Sequence, residues 1–209
     1  MTREFHKPTR FEGHRFEAFM GGEDPARRYA IAHETARTLV DRGREAGDGE
    51  LVERMIAYTD EHGIDALAEL WAAAAPESLP GALWRLYLLR ALVRQDMEAA
   101  SNAFRRGVQA LPTADPVIAG APDPAGPEEV AELADRILRG AFTGDLGDAL
   151  NRAAASCRIL AAGTLIEADA SDAASPERAS AFTTRAARLS SIAEELAIAA
   201  RLEGSGRLD

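Results

Sequence analysis

The clearest order in the chain lies in its last third. Leu146, Leu150, Ala153, Cys157, Leu160 and Thr164 step by 4, 3, 4, 3 and 4 residues, and Phe182, Ala186, Leu189, Ala193, Leu196 and Ala200 repeat those steps. Such spacing gathers apolar side chains into one stripe along an α-helix. A link at 169–175, ending in the helix start Ser175-Pro176-Glu177, joins the two stripes, so an antiparallel helical hairpin is predicted. The alanines in both stripes suit a close approach of the two helices.

The same period runs through the earlier chain. Asp24-Pro25 opens a helix over 25–45 with Tyr29, Ala32, His33, Ala36, Leu39 and Val40 at helical spacing, and a second is expected over 49–62. A short helix over 64–75 carries Leu67, Leu70 and Trp71. After a break at Ser78-Leu79-Pro80, the run Leu83 to Leu89 opens a helix that is apolar nearly all round, the mark of a central core element. Asp96 caps a helix to Ala110, and Gly126-Pro127-Glu128 starts another that ends near Gly140. No segment alternates with period two. The expectation is an all-α protein of about eight helices: helical hairpins plus the long C-terminal one.

Four segments follow: an arm at 1–24, a helical subdomain at 25–110, a connection at 111–126 and a C-terminal helical subdomain at 127–209, all expected to share one compact domain. The connection, LPTADPVIAGAPDPAG, is proline-rich and is read as irregular, with no helix passing through it. The arm concentrates Phe5, Phe11, Phe16 and Phe19 without a regular period, which makes these residues the candidates for an interaction arm. They bury either against the arm's own domain or against a neighbour.

Composition narrows the chemistry. The 209 residues carry 34 acids against 24 lysines and arginines, a formal charge of −10, which disfavours nucleic acid as the main partner. Cys157 is the single cysteine, so neither an intramolecular disulfide nor a cysteine-built zinc site is expected. No apolar run is long enough to span a bilayer, and charges interrupt the first twenty residues where a leader would be apolar. A cytoplasmic location is the expectation. His33-Glu34 lacks the second histidine of a zinc helix motif because Arg37 stands in its place. No metal or cofactor is expected, and no nucleophile elbow or phosphate loop is found.

The residues left as candidates for a ligand pocket are Trp84, Arg85, Tyr87 and Arg90, with His33. The guanidinium forks suit a carboxylate or phosphate, and the rings suit an apolar wall. Pairing of these arginines with the chain's own carboxylates, and burial of the rings in the core, is the competing reading.

Trp84, Ala100, Phe104 and Pro112 stand at spacings that resemble a tetratricopeptide repeat, weakly echoed by Tyr58 and Trp71 in the preceding helices, so 50–112 is similar to that family's helical hairpins. Leu51, Leu67, Tyr87, Leu88 and Ala91 depart from its pattern. The strings LPGALWRLYLLR and FTGDLGDALNRAAASCRILAAGTLIEAD resemble an all-helical family of GC-rich bacteria to which no activity is attached. The tetratricopeptide likeness implies protein recognition. The leading expectation is therefore a non-enzymatic interaction or scaffold protein, with an unidentified protein or a second copy as partner. A small-molecule or enzymatic site between the 80–110 helices and the C-terminal hairpin is the alternative. Arg27, Arg28, Arg37, Arg42 and Arg44 keep a transcriptional regulator as the third.

Overall fold

The computed structural model describes residues 24–46, 49–62 and 64–209. The phenylalanine-rich arm, with Phe5, Phe11, Phe16 and Phe19, lies outside the described residues. Among those described the chain is all-helical: α1 (Pro25–Ala46), α2 (Gly49–His62), α3 (Asp65–Trp71), α4 (Leu79–Gln95), α5 (Met97–Ala110), α6 (Asp115–Ala119), α7 (Pro127–Thr143), α8 (Leu146–Asp172) and α9 (Pro176–Gly204).

Two helices hold the structure together from inside. On α4, buried residues from Leu79 to Val93 point in every direction, toward α1, α3, α7, α8 and α9. The second is α8, whose seam residues Leu146, Leu150, Ala153, Cys157, Leu160 and Thr164 are all buried. That seam meets Ala186, Leu189, Ala193, Leu196 and Ala200 of α9, which are buried in turn, so the long antiparallel hairpin is as the spacing predicts. A second face of α8, with Ala155, Ile159 and Gly163, lies under α5, α6 and α7.

Between α5 and α8 the approach is backbone against backbone. A methyl group placed on Gly163 would stand 1.7 Å from the Ala103 carbonyl oxygen, and one on Gly107 would stand 1.9 Å from that of Ile159. Glycine is required at both positions because no side-chain carbon fits there. Alanines at 100 and 103 complete the flat face of α5.

Several boundaries differ from the sequence expectation. The first turn of α4 is Leu79-Pro80-Gly81, not Leu83: Ser78 caps it by accepting from the Gly81 amide at 3.3 Å, and proline is tolerated where no intrahelical donor is needed. α3 ends at Trp71 rather than Ala75, with turns in place of helix from Ala72 onward. α7 continues past Gly140 to Thr143, and α8 runs through Asp172, leaving a three-residue link at 173–175.

The connection at 111–126 does contain a helix, the single turn α6. Pro116 sits in its first turn, Thr113 hydrogen-bonds Asp115 through both side chain and backbone, and Gly120 closes it in the left-handed conformation at φ 70°. Proline at that position starts a turn as readily as it breaks one. Buried core residues on both sides of the connection belong to one continuous apolar cluster, and α6 itself rests on α8.

α5 has α8 and α7 as its main neighbours, and its contact with α4, which it follows after the single residue Asp96, is smaller. Trp84, Ala100 and Phe104 are buried, and Pro112 is exposed.

Glycine-to-alanine changes read the α5–α8 approach directly. In an open helix the change adds about 0.5–1 kcal/mol of stability. Gly140→Ala, where the nearest atom is 3.9 Å away, is expected to gain that much. Gly163→Ala is expected to lose about 2 kcal/mol or more, since the helices must separate. Chemical denaturation of the two variants measures the contrast, and equal effects would contradict the packing described.

Candidate functional site

The residues nominated from the sequence do not converge on one cavity. Trp84 and Tyr87 are core side chains, 9% and 1% exposed, and Tyr87 lies 6.2 Å from Trp71, ring centre to ring centre. The Trp71 indole donates to the Thr35 hydroxyl at 3.2 Å, which fastens α3 to α1. The Tyr87 hydroxyl is enclosed and has no partner among the described residues; burial pushes its ionisation far above the ordinary tyrosine range, with Arg90 opposing. His33 stacks on Tyr29 with ring centres 4.0 Å apart, and its Nε2 is buried without a partner among the described residues.

Both α4 arginines among the candidates hold helices together. Arg85 pairs with Glu195 of α9 and donates to the Gly81 carbonyl at 2.8 Å. Arg90, 3% exposed, donates through Nε to Asp135 of α7 at 2.7 Å. Arg94, one turn further, pairs with the other oxygen of the same carboxylate. Asp135 thus bridges two guanidinium groups, with Arg90 buried beside it and Arg94 exposed on its outer side. On the outer side of α7, Arg139 pairs with Glu53 of α2. Carboxylates that complete these pairs lie 45, 86 and 110 residues away in sequence, so local inspection gives no sign of them.

A further ion pair fixes α6. Arg158 of α8 grips Asp115 through Nε at 2.9 Å and Nη2 at 2.6 Å. Those bonds, helped by Thr113 and opposed by partial burial, hold the Asp115 carboxyl below the usual carboxylate range. Cys157, next to Arg158 in the chain, is fully buried, which pushes the thiol up to about 12 against a counter-effect from Arg158. A thiol that remains protonated at neutral pH is a poor nucleophile.

Free space lies at the surface. One groove of about 630 Å³ runs between the C-terminal half of α5 and the proline-rich segment, lined by Arg105, Val108, Pro116, Val117, Pro122 and Pro124. Val117 stands 85% exposed at its edge. A second, of about 620 Å³, lies between the C-terminal end of α4 and the N-terminal half of α9, lined by Leu92, Gln95, Arg185, Arg188, Leu189 and Ile192 among others. This is the region between the 80–110 helices and the hairpin in which the sequence placed a pocket, but its lining residues are not those nominated. A smaller cleft of about 200 Å³ includes Tyr29, Leu70 and Pro25. Within the core, the gap among Leu89, Phe104, Leu133 and Leu160 amounts to about 10 Å³, at the threshold for holding one water.

Among the described residues no three histidines, cysteines or carboxylates gather as metal ligands would. No described helix is long and apolar enough to cross a membrane.

Two substitutions test these ion pairs. Asp135→Ala removes the buried carboxylate that Arg90 and Arg94 share and is expected to cost about 3–5 kcal/mol, whereas a loss below about 1 kcal/mol would contradict its structural role. Asp115→Asn is expected to cost about 1–2 kcal/mol at neutral pH. A lowered folded-state pKa contributes stability above the ordinary carboxylate value, and that contribution disappears as pH falls through the lowered one. The gap between Asp115→Asn and the native chain should therefore narrow below pH of about 4 in acid titrations of stability, and a constant gap would contradict the assignment.

Comparison with protein-family models, with curated proteins and with solved structures finds no match to this chain.

Proposed function

We propose that this chain is a helical protein-interaction module. The observation that carries the reading is where free volume lies: two open grooves of about 630 and 620 Å³ on the outside, against a core gap of about 10 Å³. Both outer grooves combine apolar walls with arginine at the rim, the mixture from which protein interfaces are made. The nominated Arg85 and Arg90 support the same reading, because each already neutralises a carboxylate of a neighbouring helix. A rigid helical frame with preformed surface grooves binds without reorganising, which limits the entropic cost of association. Self-association is the second form of this reading, favoured by Leu165 and Ile166 standing 45% and 36% exposed side by side on the outer part of α8.

The test uses the full chain as bait in an extract of its source, followed by hydrogen exchange on the isolated complex. A protein retained in fixed stoichiometry, with protection confined to one of the two grooves, is the expected result. Retention of no protein, together with a rise of several degrees in melting temperature on adding a nucleotide, carboxylate or metal ion, would replace this reading with a small-molecule site.

A further inference from the structure

The groove between α4 and α9 has a charge as well as a shape. From Arg178 to Ala193 the chain carries Arg178, Arg185 and Arg188 and no acid, within a protein of net charge −10. Arg185 and Arg188 are one helical turn apart, so their charges repel. The positions three and four residues to either side of each are Ala181, Phe182, Thr184, Leu189, Ser191 and Ile192, apart from the two arginines themselves. No intrahelical carboxylate is therefore within reach. Elsewhere α4 and α9 do make such a pair: Arg85 and Glu195 join them at one end. Beyond that pin the helices part, and Leu92, Leu189 and Ile192 form the apolar floor of the opening, with Leu189 buried and the other two half-buried. Arg188 stands exposed at the rim, Arg185 half-buried beside it, and Glu177 and Gln95 also line the groove.

Resting on the reading of this chain as an interaction module, we infer that the α4/α9 groove receives an acidic amphipathic helix of a partner protein. Residues 177–192 of α9 provide about four turns of length, some 22 Å, which matches a helix of similar length laid alongside. Apolar residues of the partner at positions i, i+3/i+4 and i+7 would cover Leu92, Leu189 and Ile192. Glutamates or aspartates flanking that stripe would face Arg185 and Arg188 and relieve their mutual repulsion. Glu177 opposes an acid at the far end, so the partner's carboxylates belong toward the Arg185–Ile192 half. Polyanions fit less well: an apolar floor offers a phosphate backbone nothing, and the chain as a whole repels one.

A displayed library of amphipathic helices, selected on the full chain, tests this. Helices with acidic flanks are expected to be enriched. In fluorescence anisotropy, a selected peptide should lose at least about tenfold in affinity against Arg185→Glu/Arg188→Glu, and its lysine-flanked counterpart should gain affinity for that variant. Ala181→Trp, which fills the groove without altering charge, should also block binding. Melting temperatures of both variants confirm that the fold is kept. The inference is overturned if no acidic helices are enriched, if their binding ignores both variants, or if a DNA duplex or phosphatidylglycerol vesicles bind through Arg185 and Arg188 instead. Selected helices that protect the Val117 groove would overturn this assignment while leaving the interaction-module reading in place.

Discussion

Everything in this fold is arranged around the contact of α5 with α8, where Gly107 and Gly163 let two helix backbones touch. That contact makes α8 an enclosed helix with α9 on one side and α5, α6 and α7 on the other. Once α8 is enclosed, its long seam with α9 has a fixed frame and the hairpin acquires a defined direction. Dispersion between closely spaced atoms is small per pair and large in sum, so flat faces of alanine and glycine stabilise such a crossing despite the little apolar area each residue hides. α4 plays the complementary part with large side chains, among them Trp84, Leu86, Tyr87 and Leu89.

Charged residues then set which helix meets which. Arg90, Arg94 and Asp135 join α4 to α7, Arg158 and Asp115 join α8 to α6, and Arg85 and Glu195 join α4 to α9. A buried ion pair adds little net stability over an apolar substitute, but a misaligned one is costly, so such pairs select one docking arrangement from several of similar hydrophobic merit. The functional reading follows from the same logic. Arg85, Arg90, Arg94 and Arg158 have carboxylate partners in their own chain, and Arg185 and Arg188, in the groove where α4 and α9 part, have none within reach along their helix.

Much of the architecture was legible in the residue pattern. The seams from Leu146 to Thr164 and from Ala186 to Ala200 gave the hairpin, and the all-round apolar run after Leu83 marked α4 as central. What escaped had physical reasons. Pro80 and Pro116 read as breaks, although proline fits the first turn of a helix, and so the opening of α4 and the whole of α6 were missed. The second buried face of α8 is built from Ala155, Ile159 and Gly163, which look like ordinary helix residues until a neighbour lies against them. Tyr29 and Tyr58 fall at helical spacing yet stand 58% and 49% exposed, because periodicity assigns a face but not its edge. For the candidate site, the arginines of α4 drew attention by type, while the distant carboxylates that occupy them left no local trace. The groove arginines did leave one: an acid-free stretch from 178 to 193 in an acidic chain.

The most direct measurement of the central claim is native-state hydrogen exchange on the full chain. Backbone amides that open only on global unfolding mark the elements on which the fold depends. The account predicts that amides of α4 and of α8 between Leu150 and Gly163 exchange slowest and share one opening free energy. Those of α9 from Ser180 to Arg188, along the groove, should exchange measurably faster. If α8 exchanges as readily as that open half of α9, the enclosed helix is not the frame of this protein and the account fails.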